Sequence, residues 1–237
     1  MKALFLSPLL FVAFLSGGAK ASEKDRSGPR HVRIQTMLIE IPLTIHTELF
    51  DSPLALPTFD AAWQLVEQKK AKLINSDVLI CRSGEKATHE SYTEWIYPTE
   101  YAPPCLPCAP GGSKHFKQKT NWIRPDLTTP TAFETRNVGN TLEMEPTIGE
   151  GIIDIRLAAE YINLSAWHQW FNWKDQWGEA GIRFPDFYTR RVNLATSVVR
   201  DRYGYLTSFT PYDATGRRDP SRKQLFFIKA TPVFVSP

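Results

Sequence analysis

Four stretches of this chain alternate apolar and polar residues with a period of two. That pattern restricts the fold to one built mainly from half-buried β-strands. In the first, Val32, Ile34, Thr36, Leu38 and Glu40 alternate with Arg33, Gln35, Met37, Ile39 and Ile41, and Pro42 ends the run. The second covers Phe133 to Pro146. The third covers Ile152 to Ile162 and sets Ile153, Ile155, Leu157 and Ala159 on one face. The fourth covers Phe184 to Val199. Gly149-Glu150-Gly151 joins the second to the third as a hairpin turn. A short strand is expected at Asp77–Arg82, turned by Ser83-Gly84-Glu85 into a second strand from Lys86 to Trp95. Tyr203-Gly204-Tyr205 is expected as a turn, Leu206–Thr210 as a strand, Asp213–Arg222 as a charged loop and Lys223–Val235 as a closing strand.

Helical spacing is expected over Phe59–Ile74, where Ala62, Leu65, Val66 and Leu73 recur at three to four residues and Asp60 is placed to cap the N-terminus. The expected fold is mainly β, in hairpins, with this one helix near the start and a short Trp-rich helix as an addition. A chain of 237 residues suits one domain with decorations.

Met1-Lys2 followed by an apolar stretch to Leu15 and by Ala19-Lys20-Ala21 reads as a signal peptide over 1–21, cut before Ser22. Residues 22–31 are then a polar lead-in and 32–237 the folded domain, with a long insertion at 98–131. The expected address is the periplasm or the outer membrane of a bacterium. No later run of about 20 apolar residues exists for a spanning helix, which leaves a β-barrel open.

Three cysteines are present. Cys105 and Cys108 lie in a Pro- and Gly-rich segment, where a local disulfide or a pair of loop thiols, a bridge to Cys81, and metal or redox chemistry are the alternatives. Trp167, Trp170, Trp173 and Trp177 are spaced three, three and four apart. On a helix they would form one stripe, serving as core packing, as a lipid-interface surface, or as a stacking surface for sugar or peptide.

Candidate chemistry is sparse. Ser165, His168 and Asp175 share a region without a nucleophile-elbow pattern, and the histidines are dispersed. Glu134, Glu143 and Glu145 lie in a strand, where a solvated face is the ordinary reading. No catalytic residue, metal ligand or cofactor is expected. A formal net charge of +3 without a basic stripe gives no support to nucleic-acid binding.

The order of the segments resembles the C-terminal domain of bacterial secretins, the ring proteins of type II and type III secretion and of type IV pili. Met37-Leu38-Ile39-Glu40-Ile41 is similar to the family's opening strand. Ala71 to Leu79, Ser83-Gly84-Glu85-Lys86-Ala87 and Ile96-Tyr97-Pro98 follow in the family's order. Arg136, Val138, Gly139, Leu142 and Pro146 fall on its r-x-V-G-x-x-L-x-v-x-P strand, and Gly149 to Ile155 on the turn and strand after it. Tyr188 to Asn193 resembles its t-r-x-v strand, and Gln224 to Pro232 its closing e-L-x-i-x-i-T-P strand. Where the family carries a further hairpin and a lip, Asp201-Arg202-Tyr203-Gly204-Tyr205 stands instead. The resemblance implies a non-catalytic component of an envelope secretion or pilus machine. Its partners would be copies of itself or other envelope proteins, with outer-membrane contact. The alternative is a monomeric periplasmic accessory or binding protein that reuses the fold.

Overall fold

The computed structural model describes residues 30–51, 56–102, 129–175 and 178–234. The element order is β1 (Arg30–Pro42), α1 (Leu43–Leu49), α2 (Phe59–Glu67), β2 (Lys72–Arg82), β3 (Ala87–Ala102), β4 (Thr129–Ile148), β5 (Ile152–Asp175), β6 (Gly178–Val199), β7 (Tyr203–Phe209) and β8 (Arg222–Phe234). All strand pairs are antiparallel and form two four-stranded sheets, β2-β1-β8-β7 and β3-β4-β5-β6. The chain is mainly β, as the period-two pattern requires.

The two sheets stack face to face at one end of the second. Val32, Ile34 and Leu38 of β1 and Phe226, Ile228 and Ala230 of β8 meet Leu142 and Met144 of β4 and Ile153, Ile155, Leu157 and Ala159 of β5. Each of these is at most 3% exposed, so the alternating sets named from sequence do form the core of a sandwich. The other face of the first sheet is covered by helices. Ile39, Ile41, Leu225 and Phe227 are buried there with Ala62 of α2. Phe59 stacks on Tyr203 at 3.7 Å and meets Phe227 edge-on at 5.6 Å. The unbroken run Leu225-Phe226-Phe227-Ile228 is thereby explained: a central strand with both faces covered has no polar side to show. In β1 the switch from one covered face to two occurs at Leu38-Ile39, where the pairing with β2 slips by a residue.

Several expected boundaries differ. The helix expected over Phe59–Ile74 ends at Glu67, and β2 takes Lys72–Ile74. Lys69 adopts a left-handed φ of 59° between them. The cap is Thr58, whose side chain accepts from Ala61 N at 3.3 Å, and Asp60 lies in the first turn instead. A second helix, α1, was not expected. It follows Pro42, whose fixed φ suits a helix start. Tyr203-Gly204-Tyr205 is strand rather than turn; the reversal is at Asp201, with φ 62°. The excursion placed at 98–131 is strand at both ends, through Ala102 and again from Thr129.

The Trp-rich helix does not form. Trp167, Trp170 and Trp173 lie in β5, a strand of 24 residues. Paired across its whole outer half with β6, this segment has the backbone groups on that side taken up by the ladder, which overrides the three-residue aromatic spacing.

Candidate assembly surface

Strands β3 to β6 are longer than the sandwich they serve. They hold 16, 20, 24 and 22 residues, so β5 reaches about 80 Å at ~3.3 Å per residue. Their lower halves form one continuous sheet. Higher up it divides. β4 pairs with β3 from Thr129 to Met144 but with β5 only from Gly139 to Ile148. Above the Gly139–Ile162 pair there are two separate hairpin arms, β3–β4 and β5–β6.

Gly139 occupies the fork. Its φ is +152°, and a Cβ there would stand 2.1 Å from Ser91 O and 2.5 Å from Tyr92 Cα. Only glycine lets the β3 backbone come this close. The motif residues therefore divide by location. Leu142 is fully buried and Pro146 is buried in the base. Pro146 sits beyond the end of the β3 pairing, where its missing N–H leaves no ladder bond unmade. Val138 is half-buried just above the fork, and Arg136 is exposed on the β3–β4 arm.

The arms lean together through aromatic side chains. Trp95 lies 6.5 Å from Trp167, Tyr97 5.4 Å from Phe187, and Tyr101 5.8 Å from Phe184. Tyr101 Oη donates to Arg183 O at 3.5 Å, and the Arg183 guanidinium sits 5.3 Å from the centre of the Trp167 ring. Burial, then the Glu134 carboxylate, raise the Tyr97 hydroxyl above the ordinary phenol range. At the fork is an open, polar cleft of about 410 Å³ lined in part by Glu94, Arg136, Asn137, Glu160 and Arg191. Arg191 bonds Glu160 at 2.6 Å inside it.

Two buried polar clusters fix the sheets to one another. Asp77 of β2, with 9% of its side chain exposed, accepts from Asn75 at 2.6 Å, Thr36 at 3.4 Å and Asn140 at 2.9 Å, and lies 3.5 Å from His89 Nε2. β1 and β2 of one sheet are thus tied to β3 and β4 of the other. Tyr161 Oη is enclosed without a hydrogen-bond partner among the described residues. Burial, then the Asp77 carboxylate, push its ionisation up to about 12. The second cluster centres on Arg190, 6% exposed, which donates to Asn163 and, at 2.7 Å, to Gln224. Gln224 in turn donates to Glu40 at 2.7 Å, and Glu40 also takes Arg222 at 2.6 Å. The Arg190 guanidinium lies 5.5 Å from the Tyr161 and Tyr188 rings. Burial lowers its pKa, and the nearby tyrosines and Glu40 oppose that shift. Neither cluster was anticipated from sequence. The only sequence signal was a polar residue on an otherwise apolar face, as at Thr36, Asn140 and Arg190.

Trp167 and Trp170 do not share a stripe. Trp167 and Trp170 are 44% and 69% exposed and contact different groups: Trp167 meets Trp95 and Arg183, Trp170 meets His168 and Phe184. Three residues apart on one strand, they point to opposite faces, and Trp170 shares its face with His168. Trp177, Cys105 and Cys108 lie outside the described residues. Cys81 is a free thiol, 7% exposed in the sandwich core, and burial raises its pKa. Among the described residues no group of three His, Cys, Asp or Glu is placed to hold a metal, and no helix is long and apolar enough to cross a membrane.

Each sheet has open edges. β3 and β6 are the outer strands of the second sheet and each pairs on one side only. Such edges are templates for a further strand. β3 carries the devices that restrict edge pairing, namely Pro98 and two irregularities around Glu100, but only in its upper half. The lower half is regular.

No family model matches this chain, and no curated protein matches it. Solved structures similar to it include the secretin InvG of the Salmonella SPI-1 type III secretion injectisome, at 11% identity and a TM-score of 0.43. They also include the type II secretin GspD of enteropathogenic Escherichia coli, at 10% and 0.42, and a chain of the Klebsiella pneumoniae type II secretion system outer membrane complex, at 12% and 0.42. These matches cover 88%, 86% and 88% of this chain and 66%, 69% and 41% of theirs. The chain therefore spans about two fifths to two thirds of the length of the solved chains it is similar to.

Proposed function

We propose that this chain is an exported, non-catalytic, secretin-like component of a bacterial envelope secretion or type IV pilus machine, acting through association of its β-strands. The observation that carries this reading is the second sheet. Four strands of 16 to 24 residues run well past the sandwich that supplies the core, and both outer strands have free edges. A monomeric sandwich needs strands of about five or six residues. Strands of this length, polar on the face away from the core, suit the wall of a shared ring, where each edge finds its partner in the neighbouring copy. The order of sequence motifs from Met37 to Pro232 supports the same reading.

A monomeric periplasmic accessory is the second reading, favoured by the closed base with its complete core. The deciding measurement is the mass of the full chain, expressed with its N-terminus intact and extracted from membranes in mild detergent, by light scattering with negative-stain imaging. A ring of many copies is the expected result. A species of one or two chain masses at all concentrations would refute the ring and leave the accessory role.

A further inference from the structure

The outer face of the first sheet is covered by helices at one end only, where Ile39, Ile41, Leu225 and Phe227 are buried. Beyond them on the same face, the registers align Tyr203, Lys229, Gln35 and Val78 in one cross-strand row, and Thr231, Arg33 and Ile80 in the next. Val78 and Ile80 are 51% and 55% exposed. Lys229 Nζ stands 5.4 Å from the centre of the Tyr203 ring. Neither row holds a carboxylate, and neither Arg33 nor Lys229 is in an ion pair among the described residues. On other strand faces cations meet carboxylates across the ladder, as Arg156 does Glu145, Arg191 does Glu160 and Arg222 does Glu40. Polar atoms are also left over here. Arg33 Nε and Thr231 Oγ1 are enclosed without a hydrogen-bond partner among the described residues, and the register sets these two residues opposite one another. An enclosed polar group without a partner is costly. One incoming carboxylate could accept from both the guanidinium and the hydroxyl.

We infer that this open half-face is a docking surface for an acidic amphipathic helix of a partner protein, with its carboxylates on Arg33 and Lys229 and its aliphatic side chains on Val78 and Ile80. The charge of the partner follows from two cations that no carboxylate of their own rows opposes. Its helical form follows from the layer already present: α1 and α2 lie on this sheet, and a helix beside them continues a layer that stops short. From Val78 to the end of β2 at Arg82 the face runs for about 13 Å. About nine residues of helix cover that distance. The cations stand on β1 and β8 and the aliphatic pair on β2, so glutamates along one flank of a leucine stripe match the columns. The contact uses a sheet face and no strand edge. It therefore holds for a single chain and for a ring alike.

The probe is a fluorescent, helix-stapled peptide of about four turns, with a leucine stripe flanked by glutamates. Its twin carries lysine in place of every glutamate. By fluorescence anisotropy, the full chain in mild detergent is expected to bind the acidic peptide and not the twin, with an affinity that falls as salt rises. Arg33→Glu together with Lys229→Glu should weaken the acidic peptide by about tenfold or more and bring in the lysine twin. Binding of the twin also shows that this variant is folded. Ile80→Ser should weaken the acidic peptide by about threefold, and Arg156→Ala, on the second sheet, should leave it unchanged. No binding of the acidic peptide by the parent chain, or binding that the charge reversal leaves as it was, would overturn the docking surface. If the reversal instead alters the mass of the assembled chain and not the peptide affinity, the face is a contact between copies and the acidic partner is refuted. None of these results touches the ring itself, which the mass of the parent chain decides.

Discussion

The base of the molecule and its forked arms are made from the same strands yet obey different rules. In the base, β4 and β5 carry Leu142, Met144, Ile153, Ile155 and Leu157 against the first sheet, none more than 3% exposed. In the arms, the continuations of these strands expose Phe133, Trp167, Trp170 and Phe171 by 44 to 69%. The strands cross from one regime to the other near Gly139 and Ile162. The contrast separates two kinds of work. The base is stabilised by close packing of apolar residues. The arms are long ladders that gain little from burial within one chain.

The largest effect that would test this division is in the base. Phe226 is fully buried and meets Tyr161 edge-on at 5.8 Å. Phe226→Ala should cost about 3–5 kcal/mol, read as a lowered urea midpoint. A loss below about 1 kcal/mol would mean the sandwich is not the stabilising core, and the comparison would fail. At the fork, Gly139→Ala would drive a Cβ into the β3 backbone. The positive φ adds strain, for a cost of about 1–3 kcal/mol. Its sharper signature is local. Amide exchange should quicken around Ser91–Glu94 and Arg136–Thr141 while Leu225–Ile228 stays protected. Uniform loss of protection would show that base and arms unfold as one unit.

How much of this was legible in the sequence follows from the same division. The base was read well because burial writes directly into side-chain alternation. Ile153, Ile155, Leu157 and Ala159 were placed on one face, and they line the core. The arms were read poorly. Trp167, Trp170 and Trp173 have helical spacing, but β5 is set by its ladder with β6, a partner that local spacing does not reveal. The Tyr203-Gly204-Tyr205 segment was taken for a turn because glycine favours turns. In the fold it is an edge strand whose tyrosines close the helix layer against Phe59 and Phe227. The fork was visible only as a glycine within an alternating strand. Its reason, that Ser91 O lies 2.1 Å from where a Cβ would stand, is a contact across strands.

Tyr161 tests the junction between the two regions with a smaller effect. Its hydroxyl is enclosed beside the Thr36 and Asn75 side chains without a hydrogen bond of full geometry among the described residues, so Tyr161→Phe removes a poorly satisfied buried polar group at nearly constant shape. At neutral pH the change should be within about 1 kcal/mol of neutral, or stabilising. The pH dependence is more telling. The folded state raises the ionisation from its ordinary value of 10 to about 12, so the folded chain holds this proton more tightly than the unfolded one. The resulting stability is fully present below pH 10 and is lost as pH rises towards about 12. Tyr161→Phe should flatten that part of the alkaline stability curve. An unchanged slope would show that Tyr161 reaches water, and that the sandwich is open where β5 enters the arm.

The smallest expected effect lies at the arm tip. Trp170 is 69% exposed and, among the described residues, its ring meets those of His168 and Phe184, at 5.4 and 6.4 Å. Trp170→Ser in the detergent-extracted chain should therefore change the unfolding free energy of the base, read from its urea midpoint, by less than about 0.5 kcal/mol. An aromatic ring this exposed adds little to the burial that stabilises the base. Its use, if the arms meet a membrane interface or another protein, appears only in the assembled state. Flotation of the extracted protein with liposomes separates the two uses. If Trp170→Ser lowers co-flotation while the base keeps its midpoint, the arm tip works at a surface and the division between base and arms is sharpened. If the unfolding free energy falls by about 2 kcal/mol or more, the tip is part of the packed structure, and the arms contribute to folding stability after all.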